Sequence, residues 1–165
     1  MTTLNAGEVL EIAQQMERNG RLFYSRAADT AETAGAARML HELAVMETKH
    51  ERLFASMAEE LSPEERQQPL YDPYGEGAQY MRALAGGHVF DLNADPVEWL
   101  EGGRSTTDVL AKALQLEKDT IIYYLGVRDT VPAKLGADRV DEIIREEMGH
   151  VTLLSEMLEA FMPDD

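Results

Sequence analysis

Glu47-Thr48-Lys49-His50 and Glu147-Met148-Gly149-His150 stand 100 residues apart, and much of their surroundings follows the same offset. Upstream of the first lie Gln15-Met16-Glu17 and Phe23-Tyr24; upstream of the second lie Gln115-Leu116-Glu117 and Tyr123-Tyr124. Val9/Val109, Leu10/Leu110, Ala13/Ala113, Glu42/Glu142, Leu53/Leu153 and Met57/Met157 are also identical at this offset, with no gap. The chain is therefore two copies of one unit, and each copy supplies two glutamates and a histidine at fixed spacing.

Each unit reads as a pair of helices. Asn5, followed three residues later by Glu8, opens the first, and Val9, Ile12, Ala13, Met16, Phe23, Tyr24 and Ala27 recur at helical spacing over about 6–30. A second helix over about 36–61 carries Leu40, Leu43, Phe54 and Met57 on one stripe and ends at Ser62-Pro63. Ser105-Thr106-Thr107-Asp108 offers caps for a third over about 106–130, and a fourth runs over about 137–161, stopping before Pro163. Residues 62–104 differ, with most of the prolines and many glycines and tyrosines, and predict a long crossover with short helices near 76–85 and 96–101. Two short-looped hairpins joined by one long crossover make an all-α four-helix bundle, here one domain over 1–165.

A helix turns about 100° per residue, so Glu47 and His50 share the face that carries Leu40, Leu43, Phe54 and Met57. Glu147 and His150 sit likewise among Val140, Ile143, Val151, Leu154 and Met157, and Glu17 and Glu117 lie on the inner stripes of their own helices. Four carboxylates in an apolar interior repel one another and are costly to desolvate. No lysine or arginine lies on these faces to offset them. Two divalent cations would balance the four negative charges. Glu17 and Glu117 could each serve one ion while Glu47 and Glu147 bridge, or the reverse; the sequence leaves this open. Oxygen-rich ligation with one imidazole per ion suits iron or manganese, with zinc a further alternative. An inward Glu paired with Glu-x-x-His on two helix pairs is the known donor pattern of two-metal carboxylate bundles.

The segments Met16-Glu17 with Phe23-Tyr24, Leu43 to His50, Leu116-Glu117-Lys118-Asp119 and Ile143 to His150 resemble the rubrerythrin branch of the ferritin-like superfamily. The resemblance spans all four helices, though not the crossover. It implies two iron ions per chain held by Glu17, Glu47, His50, Glu117, Glu147 and His150, an oxidoreductase acting on peroxide or dioxygen, and a homo-oligomer, most simply a dimer. Rubrerythrins typically carry a rubredoxin domain with four cysteines; this chain has no cysteine, so electrons would come from a separate rubredoxin-like donor. They also carry a further Glu three residues after the third-helix ligand, used in a redox-linked ligand swap. That position is Thr120 here, and Gly20 is its counterpart, so the site is expected to be symmetric and the swap absent in its usual form. The alternatives are a ferroxidase that handles iron, a dimanganese catalase-like enzyme, and a helical interaction protein with a relic site.

Composition narrows the classes. A net charge of −16 leaves no basic face for nucleic acid or an anionic membrane. The absence of cysteine excludes disulfides, thiolate metal sites and cysteine nucleophiles, and fits a reducing cytoplasm. The first residues have neither a basic region nor an apolar stretch, and no apolar run approaches the ~20 residues that span a bilayer. Phosphate-binding glycine loops are also missing. Tyr24 and Tyr124, two turns beyond their glutamates, are placed to hydrogen-bond ligating carboxylates. Glu146 falls about 100° away from its neighbouring ligand and is expected in solvent, as is His41. His88 follows Gly86-Gly87 in the crossover and is a weak ligand candidate; the methionines read as packing. Trp99 is expected to pin the crossover to the bundle or to a second subunit.

Overall fold

Asn5 and Glu8 form the reciprocal cap that their spacing predicts: each backbone N–H donates to the other's side chain at 2.9 Å, which satisfies two exposed helix donors. Helix α1 then runs Ala6–Thr30, followed by α2, Ala34–Glu59. Helix α2 begins two residues earlier than expected because Thr33 is its cap, accepting from Ala36 N at 3.1 Å. It also ends earlier. Ser62 and Glu65 cap a new short helix α3, Pro63–Gln67, in which proline takes the first position, where its missing N–H costs nothing. Ser105 and Asp108 repeat the reciprocal cap at the head of α4, Thr106–Thr130, and α5 runs Ala137–Phe161. The computed structural model describes residues 5–67, 79–81, 83, 95–135 and 137–161. Of the short helix expected at 76–85, residues 79–81 and 83 are described and helical. His88 and Pro163 lie outside the described residues. The helix expected at 96–101 is a 3₁₀ turn, Glu98–Gly102, closed by Gly103 at φ 67°, a left-handed conformation that glycine adopts without strain.

Contacts between helix ends set the directions. At one end Glu32, in the α1–α2 turn, donates its N–H to Thr106 Oγ1 at 3.0 Å, so α4 starts where α1 finishes. At the other end Arg139 pairs with Glu60 at 2.8 Å, and Lys134 with Glu65 at 2.5 Å, so the α4–α5 turn lies beside the end of α2. Helix α4 thus runs antiparallel to α1, and the crossover must travel the bundle's length, about 35–40 Å at 1.5 Å per residue. Met81, buried in the crossover, packs over Gly126 of α4, where an added Cβ would fall 2.3 Å from the methionine sulfur. Trp99 lies 6.4 Å from Phe23 with Arg104 stacked on its ring at 4.8 Å, which pins the end of the crossover to α1.

The apolar interior falls into two clusters. One gathers Val9, Leu10, Ala13, Phe54, Tyr124 and Ile143; the other gathers Phe23, Leu40, Leu43, Leu110, Ala113 and Leu154. In every long helix the polar inner residues come between the segments that feed these two clusters. The result is a polar layer closed above and below by dry core.

Candidate metal centre

Each long helix delivers its expected residues to that layer: α1 brings Glu17, α2 Glu47 and His50, α4 Glu117, and α5 Glu147 and His150. All six are 4% exposed or less. Their donor atoms form two quartets, Glu17–Glu47–His50–Glu147 and Glu47–Glu117–Glu147–His150, each with every donor within 4.8 Å of the others. Glu47 and Glu147 belong to both. Glu17 and Glu117 thus sit at the outside of the cluster, while the Glu-x-x-His glutamates sit between.

The imidazoles face the centre through Nδ1. His50 Nδ1 lies 2.9 Å from Glu147 Oε1 and 3.4 Å from Glu17 Oε2. His150 Nδ1 lies 2.7 Å from Glu147 Oε2 and 3.4 Å from Glu117 Oε1. These contacts are close but out of line for hydrogen bonding. Both Nδ1 atoms, both Glu147 oxygens, Glu17 Oε2 and Glu47 Oε1 are buried without a hydrogen-bond partner. Buried polar atoms are rarely left so. Six of them converging on one layer fit a pair of hard cations as the missing partners, and oxygen donors with one nitrogen per ion fit iron or manganese.

Electrostatics agree. Burial and the charges of Glu17, Glu147 and Glu117 push Glu47 well above the usual carboxylate range, and burial with Glu147 raises Glu117 to about 8 against the pull of His150. Burial would lower His50, but the carboxylates of Glu147 and Glu17 outweigh it and raise it to about 11; a similar balance with Glu117 and Glu147 raises His150 to about 9. Burial would raise Glu147, yet the two imidazoles hold it well below its ordinary value. Without metal the cluster therefore stores protons where cationic charge is wanted.

Tyr24 and Tyr124 reach across between hairpins. Tyr24 donates to Glu117 Oε1, and Tyr124 donates to Glu17 Oε1. Burial, then the nearby carboxylates, keep both phenols well above their usual range, so they remain protonated donors. His41 is exposed, as expected.

One expectation needs correction. Glu146 is not merely solvated: its Oε2 lies 2.8 Å from His50 Nε2. The six donor residues keep their pairing across the repeat, but what lies behind the two imidazoles differs. The counterpart of Glu146 is Met46, whose sulfur lies 3.4 Å from His150 Nε2. One imidazole therefore donates to a carboxylate and the other faces a thioether, a weak acceptor. The helical wheel missed Glu146 because its partner sits on another helix. The signal was present in the repeat, which departs from identity at 46/146, beside the ligand pair.

The rubrerythrin family model matches residues 8–83. No curated protein matches the chain. Among solved structures the chain is similar to one described as a ferritin-like diiron-carboxylate protein from Thermotoga maritima, with a TM-score of 0.76 and 24% identity over 96% of this chain and 97% of that one. At that identity the likeness speaks for the fold. No helix among the described residues is long and apolar enough to cross a membrane. Residues 8–83 thus match the rubrerythrin family model, within an all-α helical bundle whose fold is similar to that of the Thermotoga maritima protein.

Proposed function

We propose that this protein is a two-iron carboxylate oxidoreductase that reduces peroxide or dioxygen with electrons from a separate donor protein. The observation that carries the reading is the pair of buried quartets sharing Glu47 and Glu147. Glu17 and His50 would complete one ion's set, Glu117 and His150 the other's. Held by these residues, a reduced iron pair would supply two electrons, one per ion, which with two protons would convert a peroxide O–O bond to two O–H bonds. The chain's own residues prepare that chemistry. Tyr124 holds Glu17 by Oε1 and leaves Oε2 facing the centre. The dry clusters on either side keep bulk water from the layer and the local dielectric low.

Elemental mass spectrometry of the purified protein, followed by peroxide mixing of the reduced form, tests this. Two irons per chain and repeated peroxide consumption with an external reductant are expected. One fast turnover followed by iron accumulation would indicate iron handling instead, and manganese with oxygen release would indicate a catalase. Zinc alone, with no uptake of Fe(II), would overturn the reading.

The Glu146/Met46 difference makes the halves unequal. A carboxylate behind a ligating imidazole fixes its tautomer and raises its basicity, and losing such a partner typically costs 10–100-fold in affinity. Titration of the metal-free protein with Co(II), followed by its visible absorbance, should show two separable steps. Glu146→Gln should weaken the tighter step about tenfold. An isotherm identical to that of the parent protein would remove Glu146 from the account.

A further inference from the structure

A cavity of about 200 Å³ opens beside the carboxylates on the α1–α4 side. Its floor includes Glu17, Glu47 and Glu117, and its walls include Met16, Phe23, Trp99 and Leu116. It exists because the positions where the repeat would project a side chain over the site are Gly20 and Thr120, both of which line it. A Cβ at Gly20 would already stand 3.0 Å from Glu47 Oε2. The opposite side is closed by the imidazoles, with ring centroids 5.8 Å apart and each Nε2 covered by Glu146 or Met46. Among the described residues the layer is thus open on the α1–α4 side, where Met16, Phe23, Trp99 and Leu116 supply an apolar wall.

Hydrogen peroxide does not need such walls. A water takes about 30 Å³ of liquid volume, so the cavity holds several times what a two-oxygen molecule fills. Apolar walls next to a polar floor suit a guest with a polar end and a compact apolar body. With two divalent cations bound the four carboxylates are balanced, so the floor itself calls for no charged guest, while the chain's −16 disfavours an anionic one such as a fatty-acid derivative. Lys112 and Asp95 both line the cavity and offer charges of opposite sign, so neither selects a charged guest.

We infer that the α1–α4 cavity is a substrate pocket for small neutral organic hydroperoxides of aryl or branched-alkyl type, with the peroxide end on the carboxylate floor and the organic group against Phe23, Trp99 and Leu116. This rests on the peroxide-reducing reading above. The overall change is ROOH plus two electrons and two protons to ROH plus water. The O–O bond breaks, and the electrons come from the reduced iron pair, which the donor protein recharges.

Trp99 is the chain's only tryptophan, so its fluorescence reports directly on the cavity wall. The probe is cumyl alcohol, the redox-inert product of cumene hydroperoxide, titrated into the purified protein with and without bound metal. A saturable change in Trp99 emission is expected in both forms, weakened about tenfold or more in Leu116→Phe, which fills the cavity with a ring. In turnover, cumene hydroperoxide should have a KM about tenfold or more below that of hydrogen peroxide, because burying a phenyl ring is worth at least that factor. Leu116→Phe should shift the ratio of the two KM values toward hydrogen peroxide. No saturable response of Trp99 in the parent protein, or equal KM values for the two peroxides, overturns the pocket even if peroxide reduction stands. Binding of cumyl alcohol by a protein that reduces no peroxide would retain an organic-ligand pocket and overturn its assignment to hydroperoxides.

Discussion

Glu147→Gln is expected to reduce bound metal from two ions per chain to less than one, whereas Glu17→Gln should leave about one. The difference follows from sharing. Glu147 belongs to both quartets, and its two oxygens face the two histidines at 2.9 and 2.7 Å. An amide keeps the volume but removes the charge and replaces one oxygen with a donor that repels a cation, so both sets lose a ligand at once. Glu17 belongs to one quartet only. The test is elemental analysis of each variant after anaerobic Fe(II) loading, with helix content by circular dichroism to show that the bundle is intact. Glu142→Gln, exposed on the same helix, should keep both ions. Full occupancy in Glu147→Gln would mean that the shared position in the structure is not a shared ligand, and the assignment of Glu147 to both ions would fall.

Stripping the metal is expected to lower the melting temperature by about 10 °C, and by more at alkaline than at mildly acidic pH. A ligand at 1,000 times its dissociation constant stabilises by ~4 kcal/mol, and each kcal/mol moves the midpoint of a chain this size by about 2–4 °C. The pH dependence has a definite sign. In the metal-free chain Glu117 is raised from 4.5 to about 8, His150 from 6.5 to about 9 and His50 from 6.5 to about 11. Each then binds protons more strongly folded than unfolded. Its contribution is fully present below the unfolded value and is lost as pH rises through the folded one. Glu147, lowered, works the other way, and its contribution is lost as pH falls below 4.5. The metal-free protein should therefore be most stable at about pH 5–6 and melt lower at about pH 9. Bound cations displace these same protons, so the metal's stabilising effect grows with pH. Scanning calorimetry with and without chelator measures both trends. Glu117→Gln should flatten the metal-free decline between 4.5 and about 8. A metal-free midpoint that rises from about pH 6 to about pH 9 would contradict the account.

Much of this molecule was legible in its sequence because the relevant information is local to single helices. Helical period placed Glu47 with His50, and Glu147 with His150, on buried faces. Capping chemistry located Asn5 and Ser105, and the 100-residue repeat doubled every inference. The bounds of α1, α4 and α5 agree with the expected ranges. Helix α2 starts two residues early because Thr33 caps it, and ends two residues early where Ser62-Pro63 opens a new helix instead of ending the old one. The rubrerythrin resemblance rests on the same local segments, and the family match covers the first unit and part of the crossover.

The sequence by itself determined the bundle, the inward direction of the six polar residues and the charge problem they create. It could not say which carboxylates are shared, because that depends on the axial offset between helices. It could not show that each tyrosine serves the opposite hairpin's glutamate, since Tyr24–Glu117 and Tyr124–Glu17 lie 93 and 107 residues apart. Nor could it show that position 146 meets His50 while position 46 meets His150, and so that an internally repeated chain builds an asymmetric centre. The physical reason is common to all three. The 3.6-residue period fixes what a side chain shares a face with on its own helix, whereas its partner on another helix is set by the depth and rotation at which the cores pack.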